Sequence, residues 1–268
     1  MRQQRTLGPR VSIVVPALDA ATNVYFVLRQ LPDADEVILV DGGSSDGTPD
    51  AARQARPDAI VLVRPGVSRA AALAAGIESA TGDVIITLPL DGSADPEEIP
   101  AFVAALVAGA DVVKGSRYAG TSRGPSAGDR ALAWLGKRLH HAELTDPGCG
   151  FYGFWADQRD LLALGAGEHG SWAEHVDVTV VCQLARGGAR IVEVPSRRMA
   201  PLFGSDDPHG TSSFVLSARA MFDERRRART APALVPAQAP APAAAPAPAD
   251  SVGSVDSVDS VDSHRTVA

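Results

Sequence analysis

The sequence predicts an α/β domain, a Rossmann-like and mainly parallel sheet flanked by helices, followed by a disordered C-terminal tail. Three features carry that expectation. Short runs rich in Val, Ile and Leu, such as Val37-Ile38-Leu39-Val40, suit strands covered on both faces. These runs alternate with stretches of helical periodicity across short connections, as βαβ units require. From about Thr230 the composition changes to alternating Ala/Pro and then to Ser-Val-Asp repeats, which bury nothing large.

The first nine residues read as a flexible start, 10–228 as the folded domain and 229–268 as the tail. The apolar run Val11 to Val15 closes at Pro16 and predicts a strand over 11–16, with a helix over 20–31 behind it. A second strand, 36–41, ends in Asp41 and a glycine turn. Asp46 then stands before Gly47-Thr48 as a cap for a helix over 47–55. A strand over 59–63 leads to a helix over 68–80, where Leu73, Ile77 and Ala80 recur at helical spacing. Ala72 and Gly76 there admit close approach to a sheet. The strand predicted at 83–90 runs out into Asp91-Gly92-Ser93, and Asp95-Pro96-Glu97-Glu98 opens a helix over 95–108. Strands over 111–115, 149–154 and 189–194 follow, with helices over 128–141, 157–163, 173–187 and 213–227.

The chain has 268 residues, 45% apolar and 21% charged, with a formal net charge of −7. That suffices for one well-cored domain plus an appendage. The acidic balance argues against nucleic acid as main partner, because phosphate backbones want a positive surface. Cys149 and Cys182 are too few for a disulfide framework, read as small buried residues, and suit a reducing cytoplasm. The apolar run near the start is too short for a signal-peptide core, and nowhere do about 18 consecutive apolar residues occur. A soluble cytoplasmic domain is expected, with peripheral contact at the inner face of the membrane as an alternative use of Arg225-Arg226-Arg227 and Arg229. Helix-dipole complementation and solvation explain that run by themselves.

VILVDGGSSDGT (37–48) and VIITLPLDGSADPEE (84–98) share one form: a strand, an acid, a glycine turn and a helix start. Ligands of open α/β sheets bind outside the carboxyl ends of strands. A carboxylate fixed there suits a metal-bound diphosphate, so two such units point to a nucleotide-sugar site. The plain alternative for Asp91 is a turn acid that caps the 95–108 helix, although Asp95 is better placed to cap. Asp33-Ala34-Asp35 precedes a strand and reads as a solvated turn. The six histidines show no metal spacing, and the adjacent His140-His141 read as surface. No Cys or Ser triad, P-loop or strand-anchored dinucleotide fingerprint is present.

In order and spacing, these segments resemble family 2 glycosyltransferases of the GT-A fold, over about residues 10–225. The resemblance runs through Val15-Pro16-Ala17-Leu18-Asp19-Ala20, Val40-Asp41-Gly42-Gly43-Ser44-Ser45-Asp46-Gly47-Thr48, Ala80-Thr81-Gly82-Asp83 and Pro89-Leu90-Asp91. Gly115-Ser116-Arg117, Thr145-Asp146 to Gly150-Phe151, Glu193-Val194-Pro195 and His209-Gly210-Thr211-Ser212 resemble the branch that acts on polyprenyl or dolichyl phosphate. The family's metal-binding D-A-D keeps only its second acid, as Asp91, because Pro89 replaces the first.

The resemblance implies an inverting transferase moving a hexose from a nucleotide-diphosphate sugar, with a polyprenyl phosphate as preferred acceptor. It implies Mg²⁺ or Mn²⁺ at Asp91, and donor contacts from Pro16, Asp19, Asp41, Ser44, His209 and Ser212. Asp19 stands where the family has Asn, and Ala20 where it has Glu. Arg117 and Arg130 would face the acceptor phosphate, bidentate recognition being suited to guanidinium; a surface salt bridge is the plain alternative for each. Asp146 would lie in the active centre. The family's F-E-x-E acids fall on His175 and Asp177, so Asp177 keeps its acid and Glu174 is an off-register neighbour. A phosphate monoester is already a nucleophile at neutral pH, its second pKa lying near ~6. A hydroxyl acceptor, with Asp146 or Asp177 as general base, and a nucleotide-sugar-binding protein without catalysis both stay open.

Overall fold

A computed structural model describes residues 8–120, 124–164, 175–197, 199 and 211–230, the side chains of 211–213 and 230 excepted. All fall in one compact unit, Arg2–Pro236. Among them, β1 (Val11–Ala17), β2 (Glu36–Asp41), β3 (Ile60–Val63), β4 (Val84–Thr87), β5 (Val112–Ser116), β6 (Tyr152–Trp155) and β7 (Ile191–Pro195) form one sheet. Its order is β3-β2-β1-β4-β6-β5-β7. β1 pairs in parallel with β2 and β4, β2 with β3, and β5 with β7, while β6 runs against β4 and β5. The expected mainly parallel sheet is therefore present. The order reverses between β1 and β4, and such a switch point opens a crevice at the carboxyl ends of the strands.

Alternating strand residues feed two apolar layers. Ile13, Val15, Leu39 and Ile86 pack with Val24 and Leu28 of α1 (Ala21–Gln30) and with Phe102 and Leu106 of α4 (Ile99–Val107). Val14, Val40 and Ile85 pack on the other face with Leu73 and Ile77 of α3 (Arg69–Ser79) and with Val176, Val180 and Leu184 of α6 (Val176–Arg186). A Cβ at Gly76 would collide with Val14, so glycine there does allow α3 to lie close on the sheet. α2 (Thr48–Ala55) packs beside α1. A third apolar cluster joins the outer side of α6, through Val178 and Cys182, to Leu132 of α5 (Ala127–His140) and Met221 of α7 (Thr211–Thr230). α6 is thus covered on both sides.

Prolines move several boundaries from where periodicity places them. β4 stops at Thr87 instead of 90, since Pro89 has no N–H to continue a ladder. The helix expected over 95–108 divides into a 3-10 turn, Pro96–Glu98, and α4, because Pro100 sits in the first turn of α4 and cannot donate back. α1 ends at Gln30, with Leu31 extended at ψ 135° before Pro32. The helix expected at 157–163 is a 3-10 turn, Ala156–Leu161. Ser68 and Ser126 cap α3 and α5, accepting from the N–H of Ala71 and Asp129. His140 corrects its surface reading: it is fully buried beneath α7, with Nε2 2.9 Å from the Met221 carbonyl. Only tertiary packing brings α7 there.

Candidate active site

The loops after β1 and β2 are fastened to each other by their own acids. Asp41, 1% exposed, accepts through Oδ2 from the N–H of Gly43 and Ser44, both at 3.0 Å, and through Oδ1 from the Ser44 hydroxyl. The Ser44 oxygen in turn accepts from the Asp19 N–H at 2.8 Å, and Asp19 Oδ1 accepts from the Ser45 N–H at 2.8 Å. Asp19 holds φ at +44°, an uncommon conformation for a non-glycine residue. Asp46 serves two helices, accepting from Ala21 N–H at the start of α1 and from Thr48 N–H at the start of α2. Burial opposes its charge, but these donors and the Thr48 hydroxyl prevail and hold its pKa below the usual carboxylate value. These bonds tie the two loops to each other and to the starts of α1 and α2.

A cavity of about 490 Å³ opens at the switch point. Its walls include Pro16 to Ala20 at the end of β1 and beyond it, Pro89 to Asp91 after β4, Gly148 to Phe151 before β6, and Arg69, His175 and Asp177. Asp91 is half-buried there, one oxygen accepting from the Ser93 N–H at 2.8 Å. Its other oxygen has no hydrogen bond among the described residues. Opposite, the Arg69 guanidinium donates to Asp177 Oδ2 at 2.7 Å and feels the charge of Asp91. Burial alone lowers the Arg69 pKa, but Asp177 outweighs it and the net shift is upward. Burial and then the charge of Asp177 raise the Tyr152 phenol well above its usual value, so it stays neutral. Burial lowers the His175 pKa, so this wall imidazole is mostly uncharged at neutral pH.

A second, larger cavity of about 1350 Å³ shares Arg117, Ser196 and Arg197 with the first. Asp146, fully buried, grips Arg117 with both oxygens, from Nε at 2.6 Å and Nη2 at 2.5 Å, and also accepts the Arg117 N–H. The Asp146 N–H donates to Glu193 on β7, which also takes the N–H and hydroxyl of Thr145. Arg117 further lies 3.8 Å from Asp129, whose other oxygen accepts from the Tyr118 hydroxyl. Burial and the Asp129 bond push the Tyr118 phenol up to about 12. Carboxylates also stand on the walls here, at Asp95, Glu97, Glu98 and Asp129.

The structure thus brings Pro16, Asp19, Asp91, Arg117 and Asp177 to the first cavity, with Asp146 directly behind Arg117. Asp41 and Ser44 are not on its wall; they hold the neighbouring loop. Arg130 lines neither cavity and donates to the Pro125 carbonyl at 2.9 Å. His209 and Glu174 lie outside the described residues, as does the side chain of Ser212, whose backbone belongs to the first turn of α7. Cys149, expected as a buried filler, is half-buried on the cavity wall. Sequence reasoning missed Arg69, Arg197, Tyr118 and Asp129. Arg69 carried a signal, since a cation in the first turn of a helix opposes the macrodipole and needs another reason to be there. Arg197 carried none.

Asp19 and Asp177 share this cavity with Asp91, yet among the described residues no group of three or more His, Cys, Asp or Glu is placed to hold a metal ion. A divalent cation can nonetheless be held by one carboxylate together with a ligand's phosphates. Asp91, with one oxygen fixed and the other open, fits that minimal arrangement.

A switch-point crevice with an acid-bearing loop on either side is where open α/β sheets bind their ligands. The glycosyl transferase family 2 model matches residues 12–156, more than half of the chain, and the chain belongs to that family. It is 36% identical over 110 residues to an uncharacterized glycosyltransferase of Mycobacterium tuberculosis, covering 41% of this chain and 50% of that one. It is 33% identical over 158 residues to the undecaprenyl-phosphate 4-deoxy-4-formamido-L-arabinose transferase of Pseudomonas fluorescens, covering 52% and 45%. The chain thus spans about half the length of the curated relatives it matches. Glucosyl-3-phosphoglycerate synthase from M. tuberculosis, in complex with Mn²⁺, uridine diphosphate and phosphoglyceric acid, superposes with a TM-score of 0.59 at 20% identity, over 81% of this chain and 79% of that one. That likeness establishes the GT-A fold.

Proposed function

We propose that the chain transfers a hexose from a nucleotide-diphosphate sugar to a polyprenyl phosphate, with inversion at the anomeric carbon. The observation that carries this reading is the pair of adjoining cavities at the switch point, one walled by Asp91 and Arg69, the other entered past Arg117 and Arg197. The donor occupies the first and the acceptor the second. Asp91 would hold Mg²⁺ or Mn²⁺ against the donor diphosphate, and the cation, when bound, neutralises the leaving group's charge. The chain's own part is positional and electrostatic. The loops zipped by Asp19, Ser44 and Asp41 fix the nucleoside side, and Arg69, anchored on Asp177, places a cation where diphosphate charge develops. Asp177 and Asp146 are each engaged by an arginine, so neither stands as a ready general base. A phosphate acceptor needs none, which favours it.

A second reading, transfer to a hydroxyl, draws support from the acidic wall formed by Asp95, Glu97, Glu98 and Asp129. One screen separates the two. Nucleotide sugars are tested for transfer to a short-chain polyprenyl phosphate and to soluble polyols, with Mn²⁺ and with chelator. Product only with the polyols would reverse the acceptor assignment. Absence of both binding and turnover with every donor would end the transferase reading.

A further inference from the structure

α6 lies between the sheet and the α5–α7 pair, because Val176, Val180 and Leu184 face the sheet while Val178 and Cys182 face Leu132 and Met221. The sides of α5 and α7 opposite those contacts therefore turn outward together. On α7 the inward stripe is Ser217, Met221 and Glu224, all buried. Its outward stripe, at alternating spacings of four and three residues, is Val215, Arg219, Phe222, Arg226 and Arg229. Val215 is 55% exposed and Phe222 50%, and on the outer side of α5 Trp134 is 67% exposed, next to Arg138. Large apolar groups on a surface mark an interaction site when they cluster. Here they are interleaved with arginines, of which Arg219 also lies 3.5 Å from Asp223 on the same helix.

We propose that this α5–α7 outer face docks on an anionic lipid bilayer, the aromatic and aliphatic groups entering the headgroup region and the arginines pairing with lipid phosphates. Among the described residues no helix is long and apolar enough to cross a membrane. The placement suits a lipid-borne acceptor. Ser126, the cap of α5, and Asp129 in its first turn line the larger cavity, so the mouth of that cavity adjoins the helix that carries Trp134. The proposal deepens the polyprenyl-phosphate reading, but its test does not depend on turnover.

The full chain is sedimented with vesicles of phosphatidylcholine alone and of phosphatidylcholine with phosphatidylglycerol, without donor or acceptor. Binding is expected to the anionic vesicles only, weakened by salt. Each of Arg219→Gln, Arg226→Gln and Arg229→Gln should cost about fivefold in affinity. The pair Trp134→Ser with Phe222→Ser should abolish binding while leaving the melting temperature and transfer to a short, soluble acceptor unchanged. Equal binding of both vesicle types, no binding to either, or binding indifferent to these substitutions would overturn the proposal. So would self-association abolished by the Trp134/Phe222 pair, which would assign the face to a second copy. Vesicle binding with no transfer to any phosphate acceptor would keep the docking face and remove the acceptor reading.

Discussion

The two halves of the sheet use their carboxylates differently. In the half built from β1 to β4, Asp41 accepts N–H groups of its own loop, while Asp19 and Asp46 each accept one from the neighbouring loop, so every one of these acids stabilises turns close to its own strand. In the half built from β5 to β7, Asp146 and Asp129 face Arg117, and the cavity between the halves is crossed by Asp177 with Arg69, partners far apart in the chain. Turn acids give a preformed frame at modest cost. Buried ion pairs fix geometry but leave a large penalty if one partner is lost. Asp91 belongs to the first pattern with one oxygen, while its other oxygen has no hydrogen bond among the described residues.

The greatest effect is expected from Asp146→Ala, which strands the largely buried Arg117 and should destabilise the fold by about 3–5 kcal/mol in chemical denaturation. The double variant with Arg117→Ala should be markedly less than additive. Additive losses would break the contrast between the halves. Next comes Asp91→Asn, which keeps the turn acceptor for Ser93 but removes the charge. Unchanged melting is expected, with metal-dependent donor binding lost and transfer down about a hundredfold or more. The converse Pro89→Asp should tighten Mn²⁺ binding in a titration, and parental behaviour of both variants would remove the metal from Asp91.

Asp41→Ala should cost about 1.5–3 kcal/mol, because N–H groups of Gly43 and Ser44 lose a charged acceptor. Its effect on nucleotide affinity should be the same with metal or chelator, since the acid acts through the loop. A metal-only effect would contradict that. His140 gives a smaller, pH-dependent term. Burial first, then the charges of Arg186 and Arg225, lower its pKa below the ordinary 6.5, against the Met221 carbonyl and Glu224. In the window beneath 6.5 the unfolded chain binds the extra proton, so stability should fall as pH drops through that value and level off below the folded pKa. His140→Gln should flatten the profile in the window just beneath 6.5; an unaltered slope would place the titrating group elsewhere. Smallest of all, removing 231–268 should leave melting and transfer unchanged, as expected of a segment without core-forming residues.

The half built from β1 to β4 was largely legible because its information is local. Strand runs, a glycine turn and the acid before it lie within a dozen residues, and Asp91 and Asp19 do reach the cavity wall. At Asp41 and Ser44 the motif marks the loop's own hydrogen bonds, and neither residue lines either cavity. Arg130 followed Arg117 in sequence reasoning as a second phosphate ligand, yet one turn of α5 turns it out to the Pro125 carbonyl.

By itself the sequence determined the α/β class, the parallel order of strand and helix, the close approach at Gly76 and the acid left at Asp91 after Pro89. Each follows from residue size, backbone freedom or charge within a short window. Only the tertiary structure decided that β6 runs backward between β4 and β5, that α6 is buried on both sides, and that Arg69 meets Asp177 across 108 positions. It also decided that Arg197 stands between the two cavities. Such pairings depend on where distant segments come to rest, and no local pattern of polarity encodes that.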